Sequence, residues 1–196
     1  MLTAGVTGGI GSGKTRVCKI FETLGIPVYY ADEQAKALMR TDEQVITAIK
    51  DLLGEEVYEE GGKLNKSLIA KRVFNDSKML KRLNAIVHPA TIRHAASWAN
   101  RQKSPYVLKE SALLFETDAF HHVDKAIGVS APVALRIHRT MKRDNIKREE
   151  VLKRMENQMN EEIKMRLCDF VIVNDGQKAL KPQVLQIHEQ LIREKI

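Results

Sequence analysis

The stretch Leu2-Thr3-Ala4-Gly5-Val6-Thr7-Gly8-Gly9-Ile10-Gly11-Ser12-Gly13-Lys14-Thr15 decides how the rest of the chain is read. Leu2 to Thr7 is a short apolar run that stops at two glycines, the pattern of a buried strand entering a turn. From Gly8, four residues lead to Gly13, Lys14 and Thr15, which is the spacing of a phosphate-binding P-loop. Glycines let backbone N–H groups converge on phosphate oxygens without interference from side chains. Lys14 to Leu24 then reads as a helix with Val17, Ile20, Phe21 and Leu24 on one face and Gly25 closing it. The N-terminus of that helix aims its dipole at the loop, Lys14 reaches the β and γ phosphates, and the Thr15 hydroxyl suits a Mg²⁺ ligand. A glycine-rich turn matching by chance is the alternative, but this match sits where the mechanism needs it, between a strand and a helix. What the motif fixes is nucleotide phosphate binding, which kinases, GTPases, motor ATPases and translocases share.

Outward from the loop, Ile26 to Tyr30 reads as a second strand, giving a βαβ unit whose crossover is right-handed and whose sheet is parallel. From Asp32 to about Asn100 the pattern is helical, with apolar spacing at Val45, Ile46, Ile49, Leu52, Leu53 and at Leu80, Leu83, Ile86, Val87. The second of these helices is expected to end at His88-Pro89. Strand-like runs return at Tyr106 to Lys109, Ala126 to Val129 and Phe170 to Val173, the last followed by the turn signal Asn174-Asp175-Gly176. Pro132 to Leu167 is a long basic helical stretch, and Ala179 to Lys195 is a closing amphipathic helix. The expected fold is α/β: a P-loop NTPase-like parallel sheet flanked by helices, in one domain spanning residues 1–196. Its nucleotide-binding core comprises 1–31, 104–133 and 168–196, with a helical insertion at 32–103 and a helical lid at 134–167.

A net charge of +7 suits a polyphosphate ligand, nucleic acid or an anionic membrane surface. The basic residues are scattered, and no aromatic residues interleave with them as single-strand binding requires, which argues against nucleic acid. Cys18 and Cys168 are isolated and lack metal-ligand spacing, and no apolar run reaches membrane-spanning length. The expectation is a reduced, cytoplasmic protein without a membrane or nucleic-acid partner, either monomeric or a small homo-oligomer. Met155, Met159 and Met165 read as packing residues, and Trp98 as core.

Three further positions carry candidate chemistry. Asp32 falls just past the second strand, on the sheet edge where ligands of open α/β sheets bind. A carboxylate there suits a general base for an attacking hydroxyl, and equally a cap for a helix beginning at Glu33. Glu110, after the strand Tyr106 to Lys109, suits a Mg²⁺ site or an ordinary strand terminus. Arg136, Arg139 and Arg143 fall at i, i+3 and i+7 of a helix and share a face. Arg139 and Arg143 are candidates for phosphate contacts in a lid that excludes water, and the alternative is a solvated helix face.

The chain resembles the dephospho-CoA kinase family nearly end to end. The resemblance rests on Thr7 to Thr15, on Leu24-Gly25-Ile26 leading to Ala31-Asp32, and on Leu83-Asn84 before His88-Pro89. It continues through Leu113-Leu114-Phe115-Glu116, Arg139 with Arg143-Asp144, Arg154 with Gln158, and Asp169, Val171-Ile172, Asn174 with Gly176. It implies a P-loop core with a helical CoA-binding region and a lid, and transfer of the ATP γ-phosphoryl group to the ribose 3′-hydroxyl of dephospho-CoA. Asp32 then corresponds to the base and Arg139 to the lid, with Lys14 catalytic. ATP contacts fall on Gly9, Ile10, Gly11, Ser12, Gly13, Lys14, Thr15, Arg16 and Arg143. Substrate contacts fall on Asp32, His88, Glu110 and Leu114, and Mg²⁺ contacts on Thr15 and Glu110. The chain departs from the family pattern at Tyr30, usually aspartate, at Arg16, commonly threonine, at Glu110, usually aspartate, and at Ala112, usually proline. A nucleoside or nucleotide kinase of the same architecture is the competing reading. A nucleotide-dependent binding or switch protein, such as a small GTPase, is a weaker one, since no Asn-Lys-x-Asp guanine signature is present.

Overall fold

A computed structural model describes residues 1–59, 61–74 and 76–194. The chain divides into two compact units, one made of residues 1–30 with the chain from Ala99 onward, the other of Ala31–Trp98.

The first unit is built on five strands: β1 (Leu2–Thr7), β2 (Val28–Tyr30), β3 (Tyr106–Glu110), β4 (Lys125–Ser130) and β5 (Phe170–Val173). All pair in parallel, in the order β2-β3-β1-β4-β5. The central strand β1 is buried from Thr3 to Thr7, which is why it reads as an unbroken apolar run with no alternation. β2 begins two residues later than its hydrophobic run. Pro27 has no N–H to give to the ladder, and contributes only its carbonyl, which accepts from Leu108 N–H at 2.9 Å. β3 extends one residue beyond the expected strand, so Glu110 is its last residue, in register with both Val6 and Tyr30.

Helices α1 (Lys14–Thr23) and α9 (Leu180–Arg193) bring Val17, Cys18 and Phe21, and Val184, Ile187 and Leu191, into one core with Val6, Tyr106, Leu108, Ile127 and Ile172. Phe21 meets Tyr106 edge-on, with ring centroids 6.5 Å apart. The expected last residue of the closing helix, Lys195, lies outside the described residues. The basic helical stretch forms three helices, α6 (Val133–Asp144), α7 (Arg148–Glu156) and α8 (Glu161–Arg166). Asn145 breaks it after α6 by taking the left-handed conformation, φ +52°.

The second unit is helical: α2 (Ala31–Thr41), α3 (Glu43–Leu53), α4 (Lys66–Phe74) and α5 (Ser77–Asn100). Leu38, Val45, Ile49, Leu53, Val57, Leu64, Ile69, Leu83, Val87 and Ala90 form its own core. The Asp42 carboxylate caps α3, accepting from the N–H groups of Gln44 and Val45 at 3.0 and 3.1 Å. The expected helix end at His88-Pro89 is corrected: α5 runs through Pro89 to Asn100. Pro89 removes one backbone hydrogen bond, but the buried stripe Leu83, Val87, Ala90 continues past it to Ala95 and Ala99, and this packing outweighs the local break. Trp98, expected in the core, is only half-buried.

Candidate functional site

The loop between β1 and α1 owes its shape to its glycines. Gly11 has φ +76° and lies under the backbone of Arg136, where an added Cβ would also meet the Thr140 hydroxyl at 2.7 Å. Gly13, at φ +96°, is the left-handed N-cap of α1, with the Asn174 side-chain amide against it. Neither position accepts a side chain without strain. The loop closes on itself through Ser12 N–H to the Gly9 carbonyl at 3.1 Å, and so presents the start of α1 as an anion-binding end.

Lys14 folds back over this loop. Its ammonium donates to the Gly8 carbonyl at 3.0 Å and reaches the Gly9 carbonyl at 3.5 Å, with the Glu110 carboxylate 3.9 Å away. Glu110 is only 7% exposed, so a carboxylate at the end of β3 is held inside the unit beside the loop lysine. Thr15 and Arg16 open α1 with exposed side chains. The Thr7 and Ser12 hydroxyls, both fully buried at the two ends of the loop, have no hydrogen-bond partner among the described residues. Burial, reinforced by Glu110 and Glu22, raises the Cys18 thiol far above its ordinary range, so Cys18 is an inert packing residue under α1. Tyr30, where the family pattern has aspartate, donates its hydroxyl to Glu22 Oε1 at 3.0 Å, and burial raises its pKa before that hydrogen bond adds to the effect.

A second layer of residues grips the loop from the C-terminal half of the chain. Asn174 donates to the Ser12 carbonyl at 2.7 Å, and Arg139 donates to the Asn174 carbonyl at 3.2 Å and to its side-chain oxygen at 3.4 Å. Arg136 is buried, donates to the Ile10 carbonyl at 3.0 Å and pairs with Glu161, while burial lowers its pKa. Gln158 Oε1 accepts from Ile10 N–H at 2.8 Å. Lys164, also fully buried, donates to Glu116 at 2.7 Å and to the Ala112 carbonyl at 2.9 Å, tying α8 to the segment after β3.

The sequence-derived candidates therefore distribute unevenly. Gly9 to Arg16 and Glu110 form one cluster, and Arg139 joins it through Asn174. Arg143 does not: it is exposed and forked onto Asp144 at 2.7 and 3.0 Å, so the three arginines do not act as one face. Leu114 is buried, with its side chain packed against Gly5 of β1. Asp32 and His88 belong to the helical unit. Asp32 is exposed in the first turn of α2, one residue inside a helix that begins at Ala31, and so is not its cap. His88 is half-buried in the middle of α5. Sequence reasoning passed over Glu161, read Lys164 only as part of a polar helix side, and treated Arg136 only as one of a series. Gln158 and Asn174 were signalled by the family pattern, whereas the burial of Arg136 and Lys164 follows from packing that no local spacing reveals. Met165 packs on Gly128 as expected, while Met155 and Met159 line a cleft with Gln158.

A parallel sheet of this order, with a glycine loop leading from its central strand into α1 and a lysine poised over that loop, defines a P-loop protein that binds nucleotide phosphates. The dephospho-CoA kinase family model matches residues 2–179. A dephospho-CoA kinase of Bacteroides fragilis is 41% identical over 184 residues, covering 93% of this chain and 89% of that protein. A solved structure from Thermus thermophilus superposes with a TM-score of 0.83 at 33% identity, covering 98% of this chain and 97% of its own. The dephospho-CoA kinase structure from Campylobacter jejuni, at 22% identity and a TM-score of 0.72 over 99% of this chain and 98% of its own, shares the fold. The chain belongs to the dephospho-CoA kinase family. Among the described residues, no helix is long and apolar enough to cross a membrane.

Proposed function

We propose that this protein transfers the γ-phosphoryl group of ATP to the ribose 3′-hydroxyl of dephospho-CoA, yielding coenzyme A and ADP. The observation that carries the reading is the Lys14 ammonium, held over the glycine loop within 3.9 Å of buried Glu110 in a chain of this family. Backbone N–H groups between Gly9 and Arg16 receive the triphosphate, apart from those of Ile10 and Ser12, which are held by Gln158 and by the Gly9 carbonyl, and Lys14 exchanges its loop carbonyls for phosphate oxygens. In the transfer, the substrate oxygen forms a bond to the γ phosphorus, the bond from that phosphorus to the β–γ bridging oxygen breaks, and ADP departs. Asp32 takes the hydroxyl proton. Its place two residues beyond β2, in the chain and family pattern alike, supports this assignment.

Arg139, on α6 and tied to Asn174, supplies positive charge to the phosphates and helps exclude water, and Arg143 joins it only by exchanging its Asp144 partner for phosphate oxygens. His88, in the CoA-binding region at 32–103, and Glu110 and Leu114, in the sheet unit, are the further candidates for acceptor contacts, Leu114 by backing the sheet from its buried position. The donor set available to Mg²⁺ is the Thr15 hydroxyl and the Glu110 carboxylate. No group of three or more His, Cys, Asp or Glu side chains among the described residues would cage a metal, which fits an ion that keeps waters and phosphate oxygens in its shell. When bound, Mg²⁺ supplies charge neutralisation across the β and γ phosphates. We place the protein in the cytoplasm, as a monomer or small homo-oligomer.

The test is ADP release with dephospho-CoA compared against nucleosides and nucleoside monophosphates. Turnover is expected with dephospho-CoA alone, and its absence there, or preference for a nucleoside, overturns the assignment.

A further inference from the structure

Side chains of the segment from α6 to α8 hydrogen-bond to the phosphate loop at Ile10. Its carbonyl accepts from Arg136 Nε at 3.0 Å and its N–H is taken by Gln158 Oε1 at 2.8 Å, from positions 126 and 148 residues away in the chain. Both backbone polar groups of a loop residue are thus satisfied by side chains of one distant segment. Arg136 has no freedom to do otherwise: it is 4% exposed and ion-paired with Glu161. Glu161 is itself anchored, its Oε1 accepting from the Ser130 hydroxyl at 3.2 Å and from Ala131 N–H at 3.3 Å. Arg136 also lies along the loop, with its guanidinium over Gly9 and its own carbonyl against Gly11.

We infer that Arg136 and Gln158 are positioning residues for the phosphate loop, fixing Ile10 so that the neighbouring N–H groups are set for the triphosphate before it arrives, with Glu161 holding Arg136 in place. The physical need is specific. A loop of this many glycines has more conformational freedom to lose than any other sequence, and ordering it in advance removes that cost from nucleotide binding. The pairing with Glu161 and the Ile10 carbonyl commits the Arg136 guanidinium to the protein, which separates its role from that of the exposed Arg143. The inference rests on the reading of Gly8 to Thr15 as the ATP site but not on the identity of the acceptor.

Gln158→Met removes the acceptor for Ile10 N–H without stranding a buried charge, and Arg136→Lys keeps a cation opposite Glu161 while losing the planar fork. Both are compared with wild type by calorimetric titration with ATP, by the KM for dephospho-CoA, and by amide exchange of residues 8–13 in the absence of nucleotide. Gln158→Met is expected to weaken ATP binding about tenfold, in line with losing one hydrogen bond in an ordered site, and to speed exchange across the loop, with the dephospho-CoA KM within about twofold of wild type. Arg136→Lys, where it folds, moves the same quantities in the same direction. If Gln158→Met lowers only the melting temperature and leaves ATP affinity and loop exchange as in wild type, these residues are packing alone and the inference falls. If the wild type itself binds no ATP, the functional reading fails, while loop exchange still decides whether the tie to Ile10 orders the loop.

Discussion

Lys14 shows how a single residue prepares a site. Its ammonium is satisfied by the Gly8 carbonyl and faces a buried carboxylate, so it is ordered before any phosphate reaches it and needs only to change partners. Asp32 is the opposite case, an exposed carboxylate whose value lies in the chemistry assigned to it. Asp32→Asn keeps the side-chain shape and removes the ability to take a proton. If Asp32 is the base, kcat falls by about 10² to 10⁴ while ATP affinity stays near wild type, because the phosphates are held by the glycine loop. Steady-state kinetics with a separate ATP-binding measurement decide it, and near wild-type kcat would remove Asp32 from the chemistry. Legibility at this scale was split by the origin of the signal. Lys14 and Thr15 were readable because the P-loop is a local pattern in which each atom has a fixed task. Arg136 was not, because three arginines at helical spacing look alike in sequence, and only long-range packing buries one, half-buries the second and exposes the third.

The elements follow the same division. β1, α1 and the parallel strands were legible because apolar runs bounded by glycine are a short-range signal, and their edges moved by only a residue or two where Pro27 and Glu110 shift the ladder. The path of α5 through Pro89 was not legible, since the local rule against proline in a helix is outweighed by a buried stripe that continues beyond it. The corner between α6 and α7 offers a test of an element boundary. Asp144 accepts from Arg143 at 2.7 and 3.0 Å and from Arg154 of α7 at 2.8 Å, and the hydrogen bond from Arg143 is the largest cause of a carboxyl pKa below its usual value. A carboxylate with a depressed folded pKa contributes stability that is present above its unfolded pKa of about 3.9 and is lost as pH falls through the folded value. Both arginines are well exposed, so the contribution is at most about 1 kcal/mol. Asp144→Asn is therefore expected to lower stability in urea titrations by up to about 1 kcal/mol at pH 7, with the difference from wild type vanishing well below pH 3.9. A difference that persists at the lowest pH would assign the effect to packing at the corner.

At the scale of the molecule, the two compact units each carry their own core, and the cut between them falls beside β2 and near the end of α5. The fold class was readable from one opening motif because a P-loop demands a strand before it and a helix after it, and a βαβ crossover then demands a parallel sheet. Charge is the property that belongs to neither unit alone. With 32 basic against 25 acidic residues the chain is +7, while ATP and dephospho-CoA are both polyanions, so encounter is attractive over distances that salt controls. The screening length shrinks from about 30 Å at 0.01 M to about 10 Å at 0.1 M ionic strength, which cuts long-range steering but barely touches contacts already formed inside the site. kcat/KM for both substrates is thus expected to fall several-fold between about 0.01 and 0.3 M KCl while kcat changes by less than about twofold, a split that reports encounter and not chemistry. A flat kcat/KM over that range would mean that the excess charge serves solubility alone, and a parallel fall in kcat would place the salt-sensitive charges at the reacting phosphates themselves.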